Sequence, residues 1–164
     1  MDIRTMTLAD LDLVLTIQRR CYPEAYHEPM AAFENKLQRS PGSAWLAMSG
    51  ENALAYLVTL PVDAAHFPAL HGADWVPPPR ATWLYLHDLA VDPSHRGSGA
   101  GQRLVEQSLM HARASGLQGL ALVAVQGSQP YWVRQGFQAR TVESADLLEK
   151  LRSFGDGACF MVRD

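Results

Sequence analysis

The chain has 164 residues, 48% hydrophobic and 19% charged, the balance of an ordinary globular protein long enough to bury one sizeable core, and a single domain over 1–164 is expected. A net charge of −3 with no cluster of Lys and Arg argues against a nucleic-acid partner, and apolar runs of only strand length argue against a membrane span. No charged and then apolar leader opens the sequence, and Cys21 and Cys159 stand far apart without metal-ligand spacing, so the expectation is a cytoplasmic protein with reduced thiols.

Asp2 to Met6 reads as a short edge strand. Thr7 then caps a helix with Asp10 in its first turn, and Leu8, Leu11, Val14 (or Leu15) and Gln18 keep helical spacing to about Arg20. Cys21-Tyr22-Pro23 breaks that helix. A second begins with Pro29 in its first turn and ends before Pro41-Gly42. Ser43 to Met48 and Ala53 to Leu60 read as two strands joined through Ser49-Gly50-Glu51-Asn52. Residues 61–80 hold five prolines, with His66, Phe67, His71 and Trp75 among them. So long a connection predicts either a lid over substrate or a cover for a sheet edge.

Trp83 to Val91 is the next strand, followed by a turn at Asp92-Pro93 and the stretch Arg96-Gly97-Ser98-Gly99-Ala100-Gly101. The helix from Gln102 to Ser115 buries Leu104, Val105, Leu109 and Ala112, and Gly116 stands where a helix stops. Leu117 to Val125 alternates little, as a strand buried on both faces does. A short helix from about Gln129 to Gln135 ends at Gly136. Phe137 to Val142 and Ala158 to Arg163 read as strands, with a helical turn over Ser144 to Leu151. This order of elements is an α/β layer arrangement, helices lying on the faces of a mixed sheet.

A strand, a glycine-rich bend and a helix bring unpaired backbone N–H groups and a helix dipole to one small volume, which favours an anion, and Arg96 adds a permanent cation. A pyrophosphate fits that description. Neither G-x-G-x-x-G nor a Walker Lys-Ser/Thr pair is present, since Gln102-Arg103 follow the last glycine.

On these residues the sequence resembles the GCN5-related N-acetyltransferase superfamily. Arg96, Gly99 and Gly101 match its Arg/Gln-x-x-Gly-x-Gly/Ala signature, Leu89-Ala90-Val91-Asp92-Pro93 resembles the strand leading into it, and Tyr131-Trp132-Val133-Arg134-Gln135-Gly136-Phe137 resembles its aromatic segment ending in Gly-Phe. The resemblance implies an α/β (α+β) fold with a mostly antiparallel mixed sheet of about six to seven strands and helices on both faces. It also implies acetyl-CoA as donor, a small-molecule amine as acceptor, direct attack in a ternary complex, and a monomer or homodimer. Coenzyme A would then be held by Leu89, Ala90, Val91, Arg96, Gly97, Ser98, Gly99, Ala100 and Gly101, with Trp132 beside them. The backbone near Leu89 and Val91 would bond the pantetheine arm and polarise the thioester carbonyl.

The acetylating chemistry needs a base, because an alkylammonium is protonated at neutral pH, and histidine suits the work. The strand is also similar to that of the arylalkylamine N-acetyltransferases, whose pair of histidines would fall on Tyr85 and His87, so only the second is present. On an extended strand Tyr85, His87 and Leu89 share one face while Leu86, Asp88 and Ala90 share the other. His87 is therefore the first candidate base with Tyr85 as its neighbour, and Asp88 is second if the register shifts by one. The family's acid, a tyrosine four residues before the glycine of Gly-Phe, is replaced by Trp132, which leaves Tyr131, Ser128 or water to protonate the leaving thiolate. Tyr22, Tyr26 and His27, together with Cys21, Phe33, Phe67, His71 and Trp75, make the acceptor side aromatic, suited to an aryl or alkylamine. His66, His71, His87 and His95 with Asp88 match no standard metal spacing. Three readings stand beside amine acetylation: an acyl-CoA sensor without turnover, transfer from a different acyl-CoA, and a protein N-terminus as acceptor.

Overall fold

The computed structural model describes residues 1–63 and 75–164. Phe67 and His71, and with them most of the expected lid, lie outside the described residues. Among the described residues seven strands form one sheet in the order β1-β2-β3-β4-β5-β7-β6. They are β1 (Asp2–Thr5), β2 (Ala44–Ser49), β3 (Asn52–Val62), β4 (Trp83–Val91), β5 (Leu120–Ala124), β6 (Gln138–Ala139) and β7 (Cys159–Arg163). All neighbours are antiparallel except β4 and β5. The helices are α1 (Leu11–Cys21), α2 (Met30–Arg39), α3 (Ala100–Ala114), α4 (Gln129–Arg134) and α5 (Ala145–Arg152). This is the mixed, mostly antiparallel sheet flanked by helices that the sequence implied.

The apolar stripe of each helix decides which side of the sheet it covers. Leu11, Val14 and Ile17 of α1 and Phe33 and Leu37 of α2 pack on Leu46, Tyr56, Val58 and Ala90. Leu104, Val105, Leu109 and Ala112 of α3 pack on the opposite face, against Trp45, Leu57, Leu84, Leu86 and Leu122. A third cluster joins Leu60, Trp75, Trp83, Tyr85, Ala121 and Val162, with Leu147 of α5 against it. The helix α3 stops where the glycine predicted: the Leu117 N–H donates to the Ala112 carbonyl (2.9 Å) and that of Gly116 to Arg113 (3.1 Å), with Gly116 at φ +73°. It starts two residues earlier than its hydrophobic spacing suggested, because Gly99 itself serves as the cap at φ +83°.

The start of the first helix is a tight polar lock. The Asp10 carboxylate accepts the Thr7 N–H (2.8 Å) and takes both terminal nitrogens of Arg4 (2.7 and 2.9 Å). The Arg4 bond, followed by those from Thr7, lowers the Asp10 carboxyl to about 2 although burial opposes it. A carboxyl lowered on folding stabilises the fold above its ordinary value of 3.8, and that contribution is lost as pH falls through about 2. Asp10→Asn is expected to lower unfolding free energy by about 1 kcal/mol at pH 7. In thermal melts, variant and native proteins should converge near pH 2.

Candidate active site

Strand β4 carries one residue more than its partner. Val58 pairs with Asp88 and Thr59 with Leu86, so His87 is the extra residue of a β-bulge. The bulge changes which side chains share a face. Leu84 and Leu86 point to the α3 side, and beyond the bulge so do Leu89 and Val91. Tyr85 lies on the other side, and Asp88 joins that side through the hydroxyls of Tyr22, just past α1, and Tyr56 of β3. The expectation that Tyr85, His87 and Leu89 share one face therefore fails: strict alternation holds only up to His87, and the register shifts by one after it.

On its other edge β4 pairs with β5 only at Leu84↔Leu120 and Tyr85↔Ala121. Beyond that point the strands part and leave a cleft of about 770 Å³, which runs from His87 and Asp88 past Leu89, Ala90 and Val91 to residues 96–101. The carbonyls of Leu89 and Val91 accept from the Tyr22 hydroxyl (2.9 Å) and the Cys21 thiol (3.2 Å). Their backbones thus face away from β3, and their N–H groups, which point the same way as their carbonyls, are available in the gap.

At the far end of the cleft Gly97 and Gly99 both adopt φ near +80°, and a Cβ on either would meet nothing within 4 Å. The bend is open space bordered by main chain. The first-turn N–H groups of α3 have no intrahelical acceptor, and no acidic side chain stands in that turn. Asp92 fixes the approach, accepting the Ser94 N–H (2.9 Å) and pairing with Arg20 (2.7 Å). Arg96 is exposed at the rim. These features fit an anionic diphosphate.

The acceptor end is polar and closely bonded. His87 Nε2 lies 2.6 Å from Glu28 Oε1, and Lys36 Nζ donates to Glu28 Oε2 at 2.7 Å. Burial works to raise the Glu28 carboxyl, but the bond from His87, the charge that ring carries when protonated, and the Lys36 ammonium outweigh it and hold it at about 2. Asp88 accepts from the Tyr56 hydroxyl (2.6 Å) and stands 3.1 Å from that of Tyr22. Burial raises its carboxyl, more than the Tyr56 bond and the His87 charge lower it.

A model of the acetyltransferase (GNAT) family matches residues 11–137. The chain belongs to the GNAT family. It is 30% identical to rat N-acetyltransferase 8F1 over 112 residues, 66% of this chain and 45% of that relative, so it spans less than half of the relative's length. Two solved structures share the fold. The GphF GNAT-like decarboxylase in complex with isobutyryl-CoA superposes with a TM-score of 0.76 at 21% identity, covering 99% of this chain and 97% of that one. A GNAT family acetyltransferase from Brucella melitensis in complex with acetyl-CoA gives 0.63 at 22%, covering 84% and 82%.

Within this GNAT chain the cleft gathers most of the residues expected from sequence: His87, Leu89, Ala90, Val91, Arg96, Gly97, Ser98, Gly99, Ala100, Gly101, Ser128, Tyr131, Trp132 and Tyr22. Five do not line it: Phe33 is buried against Tyr56 among the α1 and α2 side chains, Trp75 lies in the third apolar cluster, and the others are Tyr85, Tyr26 and His27. Tyr85 is buried in the third apolar cluster, its hydroxyl bonded by the Val123 backbone, and so it does not extend a chain from His87. Tyr26 is 44% exposed, and His27 turns its Nε2 to the Tyr22 carbonyl (2.6 Å). Trp132 packs edge-on against Phe137, while Tyr131 reaches α3, its hydroxyl 2.9 Å from where a Cβ on Gly101 would stand. Burial raises the Tyr131 phenol, which keeps its proton at neutral pH. The Ser128 hydroxyl is engaged by the Val125 N–H at 3.1 Å. Glu28 and Lys36 went unread, although Lys36 falls on the stripe of Ala32, Phe33 and Leu37, where a buried cation demands an acid.

Proposed function

We propose that the protein transfers an acetyl group from acetyl-CoA to the nitrogen of a primary amine, a small aryl- or alkylamine, without passing through an acyl-enzyme. The supporting observation is the cleft opened where β4 leaves β5, with a glycine-lined anion cradle at one end and His87 at the other. Acetyl-CoA supplies the acyl group as a thioester with an electrophilic carbonyl carbon. The N–H groups of the bend and the first turn of α3 hold the diphosphate, with Arg96 at its edge. The N–H groups of Leu89 and Val91 hold the pantetheine arm and the carbonyl oxygen. His87 takes a proton from the ammonium at Nδ1, because Nε2 is occupied by Glu28, and passes it to solvent. The neutral nitrogen then bonds the carbonyl carbon, and as the C–S bond breaks Nδ1 takes the second proton from that nitrogen. Tyr131 donates its phenolic proton to the departing sulfur and regains one from solvent. Asp88 and Tyr22, both lining the cleft, receive the cationic and aryl parts of the acceptor.

The test is release of free thiol from acetyl-CoA over a panel of aryl- and alkylamines, with longer acyl-CoA donors and an N-terminal peptide in parallel. Stoichiometric thiol and N-acetylamine are expected with a small primary amine. Tight acetyl-CoA binding without thiol release would identify a sensor instead. Faster turnover with a longer acyl chain or the peptide would move the donor or acceptor assignment.

A further inference from the structure

Behind His87 lies a buried ion pair whose arrangement is more specific than packing requires. Glu28 sits between α1 and α2, and the Gln18 side chain clamps its backbone from both sides. Gln18 Nε2 donates to the Glu28 carbonyl (3.0 Å), and the Glu28 N–H donates to Gln18 Oε1 (2.9 Å). Gln18, Glu28 and Lys36 are 2%, 8% and 1% exposed. With its main chain pinned, the carboxylate divides its oxygens, one to Lys36 and one to the histidine at the bulge. An apolar pair of the same volume would often stabilise a fold as well or better, so a buried ion pair is poor evidence of a purely structural role.

We propose that Glu28 is a positioning residue for His87, keeping the imidazole proton on Nε2 so that Nδ1 carries the lone pair, while Lys36 offsets the carboxylate charge. The inference rests on His87 being the base, as proposed above. A carboxylate accepts only, so the nitrogen facing it must carry hydrogen. Among the described residues His87 makes no other hydrogen bond, which leaves Nδ1 for the amine. The orienting logic is that of an acid holding a catalytic histidine in one tautomer. Lys36 matters because an unbalanced buried carboxylate would favour the imidazolium, which cannot accept a proton. The other charged group acting on the ring is Asp88 beside it on β4, whose carboxyl is in turn bonded by Tyr56 from β3 and Tyr22 from just past α1.

The test combines ¹⁵N NMR of histidine-labelled protein, the His87 signals assigned by their loss in His87→Gln, with the pH dependence of kcat/KM. The native ring is expected as the Nε2–H tautomer. In Glu28→Gln the acid limb of the rate profile should move to lower pH, and in Lys36→Met to higher pH, each by about one unit. If either variant fails to fold, Glu28→Leu/Lys36→Met removes both members of the Glu28–Lys36 pair together. It should mix the tautomers and lower kcat/KM about 10- to 100-fold with little change in the KM for acetyl-CoA. A native Nδ1–H ring, or a double variant with unchanged tautomer and profile, overturns the proposal. A His87→Gln enzyme with native rate would instead overturn the base assignment, and the tautomer measurement would still decide whether Glu28 orients the ring.

Discussion

Replacing His87 with glutamine is expected to lower kcat/KM for a primary amine at pH 7 by about 10²- to 10⁴-fold, while the dissociation constant for the coenzyme stays within about threefold. An alkylamine with a pKa near 10.4 is neutral in roughly one molecule in a thousand at pH 7.4, so most of the barrier the base relieves is the removal of one proton. Glutamine keeps the bulk at the bulge and can still donate to Glu28 Oε1, so the loss isolates the proton acceptor rather than the packing. The defect should therefore shrink as pH rises toward the pKa of the amine, where solvent has already done the work. Asp88→Asn is the companion measurement. Asp88 also borders the cleft, but its oxygens are engaged by Tyr56 and Tyr22, so its loss should raise the KM of a cationic acceptor more than it lowers kcat. A reversed pattern, with His87→Gln near native rate and Asp88→Asn without turnover, would transfer the base role to Asp88.

How far the sequence reached can be traced along β4. Local chemistry was legible: the glycines that need positive φ, the stop at Gly116 and the apolar stripes of α1 and α3 follow from neighbours a few residues apart. The bulge was not, because it depends on β3 having one residue fewer between the same two pairs, which no window of β4 alone contains. That single insertion separated Tyr85 from Leu89 and brought Asp88 round to Tyr56 and Tyr22. The partners of His87 were hidden for the same reason, since Glu28 is 59 residues away and reaches it only once α1 and α2 cover the sheet. Tyr131 and Trp132 lie between these extremes. The resemblance located the segment, and both rings border the cleft, but that Trp132 also packs on Phe137 while the Tyr131 hydroxyl reaches Gly101 of α3 depended on partners outside the segment's own helix.

Gly99→Val should abolish measurable coenzyme binding, with a loss of about 10²- to 10⁴-fold, and leave the protein folded. Gly99 caps α3 at φ +83°, a conformation that costs an L-residue about 1–2 kcal/mol and a β-branched one more. A Cβ there would meet no atom of the described residues within 4 Å, so the side chain would project into the space where the diphosphate must approach the main chain. Losing two charge-assisted hydrogen bonds of about 1.5–3 kcal/mol each gives the stated range. Strain alone is separable from blockage because the same helix carries its own control. Gly116, past the other end of α3, has φ +73° and likewise nothing within 4 Å of a built Cβ. Gly116→Val should therefore lower the melting temperature about as much as Gly99→Val, yet bind acetyl-CoA as the native protein does in calorimetric titration. Equal loss of binding in both variants would mean that helix stability, not access to the bend, governs the affinity. Native affinity in Gly99→Val would place the diphosphate somewhere other than the mouth of α3.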